Sequence, residues 1–404
     1  MTRKAILMVF PLAPWPAREN GVSIRYYPLV KHLVNRHTVD VFVHGELRAE
    51  VPKDPILESL NRFVIEHNDT RPPSFTDRLL TLTEAFSPFG QPYRFARYHT
   101  NALCNRLRQF MAGRHYDTVL WAVCDNRRVL DKLRSDLEGS RVVYDSVDSP
   151  YLHYLRHLKS QDVGGTWRAF DLWKTRRWER ALQRNVDGSA YISRADASAC
   201  VNRRSVRPQV IPNGIYTADE TVTPPSEGSN ALCIGFLGHM GYSPNVRAAL
   251  RLHDQIFLPM KQDFPNLKLM IIGRSPAAEI TRLAGPDVTV TGTVDSIWPY
   301  ISKVSVFVYP MLTGAGLQNK ILEAMHLAKP VVTTAICLDS IGARNGHEIL
   351  SAESDEELRL HTRTLLRDKQ LARDIGLHGK QFVDRTFEMS SVLQTFEKFL
   401  FPVS

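Results

Sequence analysis

The chain has 404 residues, 43% of them hydrophobic and 23% charged, enough to bury a large core without a disulfide or metal staple. Its five cysteines (Cys104, Cys124, Cys200, Cys233 and Cys337) stand far apart with no C-x-x-C pair. This excludes a zinc-site spacing and a secreted disulfide framework and points to a reducing cytoplasm.

The net charge of +9 is uneven: residues 1–190 hold 29 Lys and Arg against 21 Asp and Glu, and residues 231–404 hold 18 against 17. The basic half either is a generic solvated surface or meets an anionic partner, such as a phosphorylated substrate or the cytoplasmic membrane face. No RNP, zinc-finger or helix-turn-helix signature accompanies it, so specific nucleic-acid reading is not expected.

The apolar run Ala5 to Phe10 reads as a buried parallel strand. It is too short for a signal sequence, and no stretch has the eighteen or so apolar residues that span a bilayer, so the chain reads as neither exported nor integral. Val22 to Arg36 has helical spacing, and Val39 to Val43 reads as a second strand. The alternation recurs through a strand at Thr118 to Val123, a helix near Arg127 to Leu137, a strand at Arg141 to Val147, a helix from about Thr166 to Gln183, and a strand at Ser189 to Ile192. Alternating strands and helices imply a parallel sheet covered on both faces.

Residues 217–230, rich in Pro, Gly, Ser and Thr, read as a linker between a first domain, 1–216, and a second, 231–388. In the second the pattern restarts, with strands at Leu232 to Leu237, Lys268 to Ile272, Val288 to Thr291, Val304 to Tyr309 and Pro330 to Thr333, and helices from Pro244 and at Leu317 to Leu327. The fold class is α/β, two doubly wound Rossmann-like domains in tandem, with ligands expected beyond the carboxyl ends of the strands. Residues 354–400 read as terminal helices, the last of which, within 389–404, packs back on the first domain.

The stretch VSVFVYPMLTGAGLQNKILEAMHLAKPVV carries most of the chemistry. Gly314 and Gly316 let backbone approach a ligand, and the helix start at Leu317, Gln318 and Asn319 offers N–H groups to an anion. Lys320 adds a point charge, and Glu323, at i+3, is placed to bond sugar hydroxyls. The alternative is a plain strand-loop-helix with a surface Lys–Glu pair. GFLGHMGYSPN places Gly235, Gly238 and Gly241 as G-x-x-G-x-x-G, which is not the dinucleotide fingerprint. His239 and Asn245 there can donate to phosphate oxygens or serve structure.

In the first domain, Gly21 sits at a turn between the first strand and helix. Asp145 and Asp148, at the end of a strand in VVYDSVDS, either orient or deprotonate a hydroxyl or cap the next helix. His153 and His157 lack the company of a metal motif. The basic aromatic run WRAFDLWKTRRWERALQR reads as a packed amphipathic helix with solvated arginines or as a membrane-surface contact.

Together, PLAPWPARENGVSIRYYPLVKHL, VVYDSVDS, IPNGI, GFLGHMGYSPNVRA, LMIIGRSP, VTVTGTVDSIWPYI and GAGLQNKILEAMHLAKPVV resemble the GT-B glycosyltransferases. The likeness is to the retaining family-four type, near the bacterial exosortase-associated sugar transferase branch, and it runs over nearly the whole chain in the family's order. It implies two domains facing across a cleft, and transfer of a sugar from a nucleotide diphosphate sugar to a hydroxyl of a glycan or lipid-linked acceptor in surface or exopolysaccharide synthesis. With no D-x-D motif suited to a divalent cation, and with Lys320 and a helix start to hold the diphosphate, transfer without metal or cofactor is expected, from a cytoplasmic protein whose basic first domain lies at the inner membrane face.

By position, Glu323 matches the last Glu of the E-x7-E motif and would bind the donor ribose. Gly316 to Lys320 would face the sugar and diphosphate, and Gly21 would lie beneath the phosphates. Thr293, Val294 and Asp295 would run along the base, with Arg274 near the same pocket. The first Glu of the motif falls on Ala315, and the family's Arg and Lys clamp falls on His239 and Asn245. These departures keep open a second reading, a degenerate GT-B subunit that binds nucleotide sugar or glycan without catalysis.

Overall fold

The computed structural model describes residues 3–17, 20–46, 53–67, 100–123, 127–160, 165–199, 206–215, 232–313 and 317–402, with single positions at 50, 79, 83, 86–88, 90, 92 and 201. The expected linker, 217–230, lies outside them. The chain divides into two compact units, Met1–Gly214 with Ser390–Ser404, and Ile215–Met389.

The first unit is built on a parallel sheet of β1 (Ala5–Phe10), β2 (Thr38–Glu46), β3 (Arg62–His67), β4 (Thr118–Ala122), β5 (Arg141–Val147), β6 (Gly188–Tyr191) and β7 (Gln209–Val210). Its order is β3-β2-β1-β4-β5-β6-β7. Successive side chains of β1 serve opposite faces, as the period of two requires. Ile6, Met8 and Phe10 pack with Tyr26, Leu29, Leu33, Phe396 and Phe399, under helices Gly21–Val34 and Met389–Leu400. Leu7 and Val9 pack with Leu107, Phe110, Trp121, Trp178 and Leu182, under helices Thr100–Met111, Arg127–Leu133 and Thr166–Arg184. Asn20 caps the first helix reciprocally with Ser23, which satisfies amides a helix start otherwise leaves open.

The second unit is a parallel sheet of β8 (Cys233–Leu237), β9 (Lys268–Ile272), β10 (Val288–Val290), β11 (Val306–Tyr309), β12 (Val331–Thr334) and β13 (Leu350–Ala352), ordered β10-β9-β8-β11-β12-β13. Both sheets reverse their order beside the first strand, between β1 and β4 and between β8 and β11. Such switch points splay the following loops apart and open a crevice at the carboxyl edge. The doubly wound α/β class expected from the sequence is the one observed. β11 starts two residues later than the apolar run, because Val304 N donates to Ile301 O and closes the preceding helical turn instead.

The final helix, Met389–Leu400, belongs to the first unit. Phe396, Phe399 and Leu400 enter its core, Thr118 Oγ1 donates to Leu400 O at 2.9 Å, and Glu397 bonds His32 Nε2 at 2.7 Å and His37 Nε2 at 3.0 Å. Among the described residues no helix is long and apolar enough to cross a membrane.

Candidate functional site

At the switch point of the second sheet, the loops leaving β8 and β9 are zipped together by backbone. Gly238 N donates to Ile272 O, Met240 N to Arg274 O, and Ala277 N to Met240 O, at 3.0, 3.0 and 3.1 Å. Contact this close needs glycine: Gly273 has φ +149°, and a Cβ on it would stand 1.7 Å from Gly238 O. The zipper brings His239 and Arg274 together, both exposed, and partial burial and the Arg274 charge both hold the imidazole below its usual pKa.

Behind them, Asn245 and Lys320 meet. Asn245 is buried; its Nδ2 donates to His239 O at 3.0 Å, and its Oδ1 accepts from Lys320 Nζ at 2.5 Å. The ammonium lies over the rings of Phe236 and Tyr309, 5.4 and 6.0 Å from their centroids, and Tyr309 OH donates to Lys320 O at 3.0 Å. Burial lowers the Lys320 pKa to about 8. Such a lysine sits in aromatic and amide surroundings that raise the worth of an anionic counterpart.

Lys320 lies in the first turn of helix Asn319–His326, whose N-cap residue Gln318 makes no side-chain capping bond. Leu317 is buried beneath it. Glu323, one turn on, is half-buried, and with burial its charge pushes the Tyr309 hydroxyl well up. Gly314, Ala315 and Gly316 lie outside the described residues. Thr293 and Asp295 are exposed and Val294 half-buried on the loop after β10, two strands from β8. The structure thus joins His239, Asn245 and Lys320 through direct hydrogen bonds, sets the charge of Arg274 near His239 and places Glu323 on the same helix as Lys320, with Thr293 to Asp295 on the loop after β10.

The sequence passed over Arg247. Its Nη2 lies 3.4 Å from Thr313 Oγ1, just before the glycine loop, and its Nε is buried without a hydrogen-bond partner.

In the first unit, Gly21 opens helix Gly21–Val34, and a Cβ added to it would meet nothing within 4 Å. Asp145 and Asp148 part company. Asp145 is fully buried and accepts Arg25 Nε and Nη2 at 2.7 and 2.9 Å and Tyr26 OH at 2.8 Å; Arg25 Nη1 donates to Asn213 at 3.1 Å. The expectation that Asp145 handles a ligand hydroxyl is corrected here: both its oxygens are consumed in a buried ion pair that ties the first helix to β5.

Asp148 is the available carboxyl. It stands half-buried just past Val147, a β-branched residue held at φ +62°, a conformation that costs energy and concentrates at functional sites. Burial, then the charge of Asp196, raise its pKa to about 7. Asp196 itself is held by Ser149 N at 2.9 Å and by Ser193 Oγ. His153 and His157 are exposed, and among the described residues no group of three or more His, Cys, Asp or Glu is placed to hold a metal ion.

With this geometry in view, residues 231–368 match the family model described as Glycosyl transferases group 1, a stretch that lies within the second unit, Ile215–Met389. The whole chain is similar in fold to sucrose-phosphate synthase from Thermosynechococcus elongatus (TM-score 0.69, 14% identity, 98% of each chain covered). It is likewise similar to HepE from Anabaena, solved in complex with UDP and glucose (TM-score 0.64, 15% identity, 99% of this chain and 100% of that one). Its two parallel sheets with flanking helices are the GT-B fold. An uncharacterized 44.6 kDa protein in the cps region of Klebsiella pneumoniae is 19% identical over 172 residues, 40% of this chain and 44% of the relative. The match thus spans less than half of that curated relative's length.

Proposed function

We propose that the chain is a glycosyltransferase, of the retaining family-four type near the exosortase-associated branch, that moves a sugar from a nucleotide diphosphate sugar to an acceptor hydroxyl. The observation that carries this reading is the cationic switch-point site of His239, Arg274 and the Asn245–Lys320 pair, inside the segment that matches the glycosyltransferase model. A structural neighbour solved with UDP and glucose supports a nucleotide-sugar donor, and the cps-region relative supports a role in surface polysaccharide. The acceptor is then a glycan or a lipid-linked sugar, met at the inner membrane face.

Breaking the bond between the anomeric carbon and the diphosphate oxygen leaves negative charge on the diphosphate and positive charge on the sugar ring. Lys320, Arg274 and the start of helix Asn319–His326 are set to receive the negative charge. The acceptor oxygen bonds to the anomeric carbon from the face the diphosphate leaves, which retains configuration, and its proton passes to the Asp148 carboxylate. Glu323 accepts from donor hydroxyls, and His239 and Asn245 position the phosphates, while Gly21 is assigned to the donor phosphates by the resemblance alone. With protein cations already opposite the leaving group, the reaction needs no metal. A calorimetric titration with a panel of nucleotide sugars, followed by a donor-turnover assay and NMR of the product anomer, tests the reading. Binding without turnover would favour the degenerate subunit, to which Ala315 and the altered clamp at His239 and Asn245 point.

A further inference from the structure

Helix Thr166–Arg184 presents an unusual outer face. Trp167 is 46% and Trp173 47% exposed, and they belong to one chain of rings: Phe86 to Trp167 at 5.1 Å, Trp167 to Phe170 at 5.8 Å, Phe170 to Trp173 at 5.9 Å between centroids. Phe86 adds a side chain that is 64% exposed. Toward the other end of the helix the ridge turns cationic, with Arg177 over the Trp173 ring and Arg176 over Tyr151, 5.7 and 5.0 Å from the centroids.

No exposed residue of this helix is acidic: Asp171 is half-buried and Glu179 buried. Core packing explains Trp178 and Leu182, which are buried further along the helix; it does not explain two tryptophans held in water. Tryptophan and arginine in one stripe are the composition that seats at a bilayer interface, rings at headgroup depth and guanidinium groups on lipid phosphates.

The helix's placement fits the same use. Glu179 accepts from Ser149 Oγ and Tyr151 N at 3.1 and 3.2 Å, at the carboxyl edge of β5. Past the helix's other end, Asp187 accepts from Val142 N at 2.7 Å, near that strand's start. The helix therefore runs from the carboxyl edge back along the sheet. At 1.5 Å per residue, the residues before Glu179 carry the ridge past the edge where Asp148 stands, Trp173 by about 9 Å and Trp167 by about 18 Å.

We infer that the ridge of Trp167, Phe170, Trp173, Arg176 and Arg177 is a docking surface for an anionic phospholipid bilayer. It deepens the proposed reading by naming the surface from which a lipid-linked acceptor would reach Asp148, but its test does not depend on sugar transfer.

The experiment is co-sedimentation of the full chain with two sets of vesicles, pure phosphatidylcholine and phosphatidylcholine with about one part in three phosphatidylglycerol. The wild type is expected on the anionic vesicles and not on the neutral ones. W167A/W173A should lower partitioning about tenfold or more through lost interfacial burial, and R176Q/R177Q by a similar order together with most of the salt dependence. All four positions are exposed, so unchanged circular dichroism and melting are expected of both variants. Wild-type protein that ignores anionic vesicles, binds both kinds equally, or binds as before when both tryptophans are removed overturns the inference. Tighter binding to RNA or DNA oligonucleotides than to vesicles overturns it too. Failure of nucleotide-sugar binding with intact vesicle binding would instead count against the proposed activity alone.

Discussion

Lys320 Nζ lies 2.5 Å from Asn245 Oδ1, joining the helix after β11 to the helix that follows β8 (Ser243–Arg251) through a cation and a neutral amide. Where the resembled family has a lysine at position 245, this chain places its cation on the facing helix and keeps an uncharged bridge between them. A second lysine at 245 would stand against the first.

Replacing Lys320 with methionine keeps the stem and removes the charge. Transfer should fall by about a hundred- to a thousandfold in kcat, the usual cost of losing one preorganised charge-stabilising group. N245D should instead pair Lys320 with a resident carboxylate that competes with the diphosphate, weakening donor binding in a calorimetric titration by about tenfold. Full activity in K320M would remove Lys320 from the mechanism.

The pH profile has two limbs. Asp148, at about 7, must lose its proton to serve as a base, and Lys320, at about 8, must keep its own to face the diphosphate. The kcat/KM plot should therefore rise through pH 7 and fall above pH 8. D148N should lose the rising limb with most of the rate. Stability carries the same signature. The raised Asp148 pKa gives a contribution present below the unfolded value near 4 and lost as pH rises through about 7. The lowered Lys320 pKa gives one present above about 10.5 and lost as pH falls through about 8. Denaturation midpoints of D148N and wild type should diverge as pH climbs from about 4 to about 7 and hold a constant gap above that.

Asp145 should behave differently from its neighbour. D145A leaves the Arg25 guanidinium buried without its anion, a loss of about 3–5 kcal/mol from the first unit. Urea unfolding followed by tryptophan fluorescence would report it as an early transition. Wild-type stability in that variant would contradict the structural role.

Gly273 tests the loop zipper. Alanine there would drive a Cβ into Gly238 O, where backbone rather than a flexible side chain must yield, and it would also strain a positive φ. We expect about 3 kcal/mol or more of destabilisation and donor affinity reduced beyond what K320M causes, measurable by thermal melts and calorimetry.

Transfer should persist in EDTA and gain nothing from added manganese or magnesium, assayed by donor turnover. Loss on chelation with rescue by manganese would mean that a cation shares the work assigned to Lys320 and Arg274.

Much of the architecture was legible because parallel strands buried on both faces leave apolar runs, and β1, β5 and β9 fall on them residue for residue. Elements without such runs were not: β7 has two exposed residues, β3 mixes Phe63 and Ile65 with Arg62 and Glu66, and helix Thr100–Met111 follows a stretch of mixed composition. In the site, the lysine and glycine loop stood out by type and spacing. The fate of Asp145 did not, because its partner Arg25 lies 120 positions earlier and no local pattern links them. Conversely, the availability of Asp148 depends on the unpaired geometry of one turn, which two aspartates in VVYDSVDS cannot express.

The closing helix of the first unit carries a consequence for synthesis. Its Phe396, Phe399 and Leu400 fill the same core as Ile6 and Met8, so β1 waits for residues made long after it before its hydrophobic face is sealed. On the ribosome, where the leading unit ordinarily settles first, this one must remain an unfinished intermediate while Ile215–Met389 emerges and folds. A nascent chain halted before residue 389 should therefore expose apolar surface and recruit chaperones, whereas one released after residue 400 should not.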